Sequence, residues 1–344
     1  MKKEENKLFK YLKEYFTVYL PKQKNCSSHT ITACQQTWNI FLSYIRDSLN
    51  VKLDKIRLED ITNEAVTNFL DRMETERNWS ISTRNHRLSC IRSFFKYLAD
   101  VEPILVVYYE RLNGIPLKKD VDKSHTMEFM SPESIKIMLQ QPDTSTKMGI
   151  RDLFFMILMY DTAARDCEML RMKFCDFNSK EKTVYLMGKG SKPRLVPVTD
   201  DTVKHFEKYA SIFHSANVGE TPMFYTIHRN QKTPMSDDNV ARFIRIYSNK
   251  AKEICAEMPE NVHPHMFRRS RAMHLYRSGM PLALLAEWLG HSNPETTLIY
   301  AYADTEMKRE AIEKATAGSS NGTNIEVPIW KDNEDIIKKL CGLS

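Results

Sequence analysis

The stretch HPHMFRRS, residues 263–270, gathers two imidazoles and two guanidiniums within eight residues. His265 and Arg268 stand three apart, so on a helix they share one face, while His263 and Arg269 point elsewhere. Two readings are open for such a set: a solvated basic helix end, or a grip for an anion such as a phosphate with a titratable imidazole beside it. Other residues pose the same choice. Arg165 interrupts the apolar and small-residue run MILMYDTAARDCEML, where an unpaired charge is costly. Its partner is either Glu168, three residues on, or an anion. Lys189 sits between glycines at the turn of KTVYLMGKGSKPRLVPV, with Lys192 nearby. His291 follows the Leu289-Gly290 end of an apolar helix, where glycine is an ordinary helix stop. Tyr300 and Tyr302 lie in the short helix after it, and either one alone reads as a packing residue.

The elements that must hold these residues are mostly helical. At 344 residues the chain is long enough for two domains, each with its own core. Between residues 7 and 110, four amphipathic segments are visible: LFKYLKEYFTVYL up to Pro21, TITACQQTWNIFLSYIRDSL behind Ser27 and Ser28, TNEAVTNFLDRMETER behind Thr62, and SISTRNHRLSCIRSFFKYLADV. The periodicity fades from Tyr109 to Met130, where Gly114, Pro116 and a mixed-charge run predict a linker. A second domain opens at Ser131, a helix cap followed by Pro132. It is predicted to be helical to about Ala317 except for one hairpin around Gly188–Ser191. GSSNGTN, residues 318–324, is a flexible break before a short terminal segment.

Composition is that of a globular protein, 42% hydrophobic and 27% charged, and the net charge of +6 suits a polyanionic partner without demanding one. No apolar run reaches the roughly 18 residues that span a bilayer, and the N-terminus has no signal-peptide pattern. The seven cysteines are scattered with no CxxC spacing, which argues against a disulfide framework or a structural zinc site and predicts a cytoplasmic location.

Taken in order, Arg165, Lys189, His265, Arg268, His291 and Tyr300 resemble the tyrosine recombinase (phage integrase) family. The resemblance is carried by TAARDCEML, GKGSKPRLVPV, HMFRRSRAMHLY and LGHSNPETTLIY, and by the nine-residue step from His291 to Tyr300. STRNHRLSCIRSFFKYL, residues 82–98, is similar to the family's helical core-binding domain. The chain looks like the Xer-like and the transposon- or phage-borne members. What this implies is a mainly α fold with a small β-hairpin, built as a two-domain DNA clamp. A helical core-binding domain would span 1–112, a linker 113–130, a mixed α/β catalytic domain 131–318, and a tail 319–344 would dock on a neighbouring protomer.

By the same resemblance, Tyr300 is the nucleophile, His265 the general base and Lys189 the general acid. Arg165, Arg268 and His291 bind the non-bridging oxygens of the phosphate, a task guanidiniums suit because they match its geometry and stay protonated. Lys192 is the alternative acid. Glu168 fits the family's habit of buttressing the first arginine, and Arg269 stands where members often carry a histidine. Arg84, Arg87 and Arg92, with Lys192 and Arg269, are expected to contact DNA. The implied partner is double-stranded DNA with inverted-repeat core sites, bound by a homotetramer, with an accessory excision factor in reserve. No cofactor, metal or membrane is implied. Few residues precede the first helix, so no separate arm-binding domain is expected. Integration or excision of a mobile element is the leading role, with inversion or chromosome-dimer resolution as alternatives. A type IB topoisomerase or a non-catalytic DNA-binding regulator are the more distant readings.

Overall fold

The computed structural model describes residues 6–119, 127–188, 192–215, 219–291 and 293–303, with Arg309, Ile312 and Glu313 beyond them. The chain divides into two compact units, Met1–Lys123 and Ser124–Ser344. Lys189 at the hairpin tip and the tail 319–344 lie outside the described residues. No helix among the described residues is long and apolar enough to cross a membrane.

The first unit is all helical. Helix α1 (Lys7–Glu14) runs on as a wider π-helical stretch, Tyr15–Gln23, so the turns carry past Pro21, where the sequence predicts a stop. A π turn bonds five residues back, as in the Lys24 N–H to Tyr19 carbonyl bond of 2.8 Å, and this widening relieves the proline ring of the carbonyl one α-turn earlier. Helices α2 (Ser28–Leu49), α3 (Asn63–Arg77) and α4 (Ile81–Val101) each begin at a hydroxyl cap. Ser27 accepts from the N–H of Thr30, Thr62 from Ala65 and Ser80 from Thr83, at 3.3, 3.1 and 3.2 Å. Leu88, Ile91, Phe94, Phe95 and Leu98 recur at helical spacing on α4 and are buried against Trp38, Phe41 and Ile45 of α2 and Phe69 of α3. Each such side chain stabilises the fold by roughly 2 kcal/mol.

A fifth helix, α5 (Val106–Asn113), stands where the sequence shows only fading periodicity. Ile115 is buried in this same core and Lys118 Nζ reaches Glu74 at 2.6 Å, so the chain through Lys118 is packed on the unit, although a linker is expected from residue 113.

The second unit is built around α7 (Lys147–Thr162), which follows α6 (Pro132–Leu139) with its Ser131 cap. Phe154, Phe155, Leu158 and Met159 fill its centre. After the short α8 (Asp166–Arg171) comes an antiparallel sheet in the order β1 (Phe177–Asn178), β2 (Thr183–Met187), β3 (Pro193–Pro197), with Tyr185 opposite Leu195. Val184, Leu186 and Val196 turn inward onto the core. Helix α9 (Asp200–Phe213) packs on α7 through Phe206 and Tyr209.

A second hairpin, β4 (Tyr225–His228) and β5 (Gln231–Pro234), was not expected. It turns through Arg229 and Asn230, both at positive φ, 48° and 61°, and no glycine marks it. Helices α10 (Asp237–Lys252), α11 (Pro264–Arg277), α12 (Leu282–Leu289) and α13 (Leu298–Ala303) complete the unit. Ala163, Ala272, Met273, Leu285, Leu289 and Tyr300 form a smaller cluster that ties α11, α12 and α13 to the end of α7.

Candidate active site

The residues singled out in the second unit come from five separate segments. Arg165 stands at the entry to α8. Its N–H donates to Glu168 Oε2 at 3.0 Å and its Nη1 to Glu168 Oε1 at 2.8 Å. Glu168 is buried. Burial alone pushes its carboxyl pKa up, but Arg194 and Arg165 outweigh that and hold it below the ordinary value, so it is ionised.

Arg268 projects from the first turns of α11 and is 1% exposed. Its Nη1 donates to the Ala163 carbonyl at 2.7 Å and its Nη2 to the Leu289 carbonyl at 2.6 Å. Ala163 ends α7 in the left-handed region at φ 52°, a conformation that costs an L-residue about 1–2 kcal/mol. Both of these partners are neutral dipoles, so the charge of Arg268 is held in place without being cancelled. Burial, then repulsion from Arg165, lowers its pKa to about 10, which still leaves it protonated at neutral pH.

His265 lies one turn before Arg268 on α11. Packing around its ring, then the charges of Arg269, Arg268, His263 and Arg165, pull its pKa down. Burial is the larger cause and the cations add to it, which brings the pKa to about 4 and keeps the imidazole neutral near pH 7. His291 follows Gly290, which ends α12 at φ 61°, and its N–H closes the helix on the Ala286 carbonyl at 3.0 Å. Its Nδ1 lies 2.8 Å from the buried Thr297 Oγ1, which fixes the ring. Desolvation, then Arg268, Arg165, Arg194 and His265, lower its pKa to about 4.

Tyr300 sits on α13 and is 3% exposed. Burial raises its pKa above the ordinary 10, and Arg268, Arg269 and Arg165 pull only partly against that, so the phenol is protonated at neutral pH. The site therefore combines neutral imidazoles, a protonated phenol and an excess of guanidinium charge. This set suits an anion and a proton passed from oxygen to nitrogen.

The structure thus groups Arg165, His265, Arg268, His291 and Tyr300, with Arg269 acting on both His265 and Tyr300. Lys192 is exposed, one residue before β3. The hairpin leaves from the edge of the site, since a Cβ built on Gly188 would stand 3.7 Å from Glu168 Oε1. Sequence reasoning passed over Arg194. It donates to Glu168 through Nη1 at 3.1 Å and Nη2 at 2.7 Å, and through Nε to the Trp288 carbonyl at 3.0 Å. The signal was present, because Arg194 and Val196 share the inward face of β3.

The arginines of the first unit have other partners than free cations would. Arg84 is buried and ion-paired with Glu74 at 3.2 Å. Arg87 donates to the Ala33 carbonyl at 3.1 Å and Thr37 Oγ1 at 2.9 Å and lies over the Trp79 ring. Arg92 donates to the carbonyls of Leu112 and Asn113, each at 3.0 Å, and of Ile115. A face of α4 that reads as a row of DNA-facing cations is, for these three side chains, engaged by the unit's own acceptors.

The phage integrase family model matches residues 128–307, and the model of the phage integrase N-terminal SAM-like domain matches residues 13–101. The chain is 27% identical over 318 residues to the putative integrase/recombinase y4rC of Sinorhizobium fredii, across 91% of this chain and 92% of that protein. It is 28% identical over 310 residues to the tyrosine recombinase XerC of Myxococcus xanthus, across 88% and 97%. In fold it is similar to the Tn1549 transposon integrase in complex with a circular intermediate DNA, with a TM-score of 0.67 and 17% identity over 90% of this chain and 100% of that one. XerH bound to palindromic difH substrate is likewise similar, with a TM-score of 0.65 and 20% identity over 90% and 89%. Matched along half of its length by the family's own model, the chain belongs to the phage integrase family and is a tyrosine recombinase.

Proposed function

We propose that the chain cuts and rejoins double-stranded DNA at inverted-repeat core sites by passing a phosphoryl group to Tyr300 and back. Tyr300 Oη attacks the scissile phosphorus and forms the phosphotyrosyl bond, and His265 takes the phenolic proton. The bond from phosphorus to the 5′-oxygen breaks, and Lys189, or Lys192 in its place, supplies the proton to that oxygen. The products are a 3′-phosphotyrosyl link and a free 5′-hydroxyl. A 5′-hydroxyl from another strand then reverses the step, so the bond energy is retained and no nucleotide cofactor is consumed. Arg165, Arg268 and His291 bind the non-bridging oxygens. One observation carries this reading: a buried Arg268 held only by neutral carbonyls, facing Tyr300 and Arg165, lacks an anionic partner of its own. The phosphorane-like state supplies that negative charge.

For DNA contact we propose the exposed Lys192 and the half-buried Arg269, with Arg87 in the helical unit and Arg84 and Arg92 shaping its face. Four copies acting together, linked through the tail 319–344, complete the proposal. Integration and excision of a mobile element is the setting we favour, supported by the integrase/recombinase name of the Sinorhizobium relative. That the transposon integrase and XerH are both seen bound to DNA supports a duplex partner.

Covalent trapping tests the proposal. The protein is incubated in EDTA with fragmented genomic DNA of its source and denatured, and DNA that remains bound is sequenced. Adducts clustered at inverted repeats, and lost in Tyr300→Phe, are expected. Sites at the two ends of a mobile element support integration, and a single chromosomal site supports dimer resolution instead. Adducts scattered over all sequences point to a topoisomerase. DNA binding with no adduct would mark a non-catalytic binder.

A further inference from the structure

We infer that Arg194 is the positioning residue that holds Arg165 and His291 in their working arrangement. The inference rests on reading this site as a phosphoryl-transfer centre. Glu168 has two carboxylate oxygens, and both are shared. Oε1 accepts from Arg165 Nη1 at 2.8 Å and from Arg194 Nη1 at 3.1 Å. Oε2 accepts from the Arg165 N–H at 3.0 Å and from Arg194 Nη2 at 2.7 Å. A carboxylate bound on one side only could rotate, and Arg165 would rotate with it. The planar fork of Arg194 fixes the carboxylate plane, and thereby the direction of the guanidinium that carries the phosphate contact.

The third donor of Arg194 ties in the other half of the site. Nε donates to the carbonyl of Trp288, two residues before Gly290 and three before His291. Gly290 lies directly against the guanidinium, and a Cβ there would come within 3.1 Å of Nη1 and 3.2 Å of Cδ. One side chain on β3 thus fixes the first turn of α8 and the last turn of α12, the two chain segments that end in Arg165 and His291. Arg194 also completes the charge balance. Three guanidiniums, Arg165, Arg194 and Arg268, surround one carboxylate, which leaves two positive charges uncancelled. A phosphodiester carries one negative charge, and its five-coordinate state carries two. Arg194 does not touch the phosphate in this arrangement, since its side chain is 9% exposed and each of its donor nitrogens is already occupied.

A merely structural ion pair would make different predictions. The charged and titratable groups facing His291 are Arg268 and His265 from α11, Arg165 from the α8 entry, and Arg194 from β3. Removing the Arg194 charge should therefore let the His291 pKa rise, with the other three unchanged. The first measurement is a nitrogen-15 histidine titration of the full chain by NMR, with His291 assigned by its loss in His291→Gln. Wild type should titrate well below 6.5, Arg194→Met should move toward 6.5, and Arg194→Lys, which keeps the charge, should stay near wild type. The second measurement is the rate of phosphotyrosyl adduct formation on a trapped site. Arg194→Met should slow it about 10- to 100-fold with DNA affinity retained, the usual range when a group that orients an active side chain is removed. Arg194→Lys should recover the pH profile but only part of the rate, because a lysine cannot fork.

Wild-type rates in Arg194→Met with an unmoved His291 titration would overturn the inference. So would a loss of rate that follows the folded fraction and disappears on cooling. If the wild type itself forms no adduct, the function proposed above fails, while the titration, which needs no DNA, still decides whether Arg194 governs His291.

Discussion

Tyr300 is kept as a neutral phenol by the same burial that packs it against Ala272, Leu285 and Leu289, and the guanidiniums nearby only partly offset this. A nucleophile with a raised pKa needs a base that is unprotonated at the working pH. His265 meets that condition because burial of its ring, and then the cations around it, disfavour a further positive charge. On the proposed roles, the adduct rate on a trapped site should reach its plateau below the ordinary imidazole value of about 6.5. In His265→Ala the rate at pH 7 should drop about 100-fold or more and keep climbing with pH, because only hydroxide or water then removes the phenolic proton. A flat profile in that variant, measured by quenched single-turnover assays from pH 5 to 9, would remove His265 from the base role. The same shifts affect folding. His265 and His291 have folded pKa values below their unfolded ones, so the unfolded chain binds protons that the folded chain refuses. Their contribution is fully present above about pH 6.5 and is lost as pH falls from there toward about 4.

At the scale of elements, Arg92 separates two accounts of α4. As a DNA contact its loss would lower affinity and reduce the salt slope by about one. As a clasp on the carbonyls of Leu112, Asn113 and Ile115 its loss should fray α5. We expect Arg92→Ala to cost about 1–2 kcal/mol in urea unfolding, the range for hydrogen bonds from a charged donor, and to speed amide exchange across Val106–Asn113. An unchanged stability with a reduced salt slope would return Arg92 to the DNA. The case also shows what a sequence can reveal. Caps at Ser27, Thr62, Ser80 and Ser131 are local chemistry, a hydroxyl three residues before an amide, and they are legible without any fold. Helix α5 is not, because eight residues are too few to be stable by propensity and its clasp comes from a residue some twenty positions away. The β4–β5 hairpin is hidden for a related reason: its turn uses Arg229 and Asn230 in place of a glycine. The site residues were legible as a spaced set, whereas the burial of Arg194 under α12 exists only once β3 and α8 are brought together.

At the scale of the whole molecule, the chain is two units whose cores, among the described residues, share no buried residue: one runs from Leu8 to Ile115, and the other begins at Met130. The first is rich in aromatic contacts that span its sequence. Tyr15 meets Phe94 at 5.3 Å, Trp38 meets Phe94 at 4.7 Å, and Phe41 meets Phe69 at 5.0 Å, with rings set edge-on or tilted. These contacts link α2, α3 and α4 with the π-helical stretch, and the capped helix starts need nothing from outside the unit. A domain of this size with its own core folds alone as a rule. The fragment 1–123 should therefore give a cooperative urea transition with helical circular dichroism, and Phe94→Ala within it should cost about 3–5 kcal/mol, enough to abolish that transition in a marginal domain. If the fragment shows no transition while the full chain does, the first unit depends on the second for its stability, and the division of the chain into two self-sufficient units would have to be given up. A cooperative fragment would instead let its DNA affinity be measured apart from the catalytic half, with the salt slope of the fragment giving the number of phosphates that the helical unit neutralises by itself.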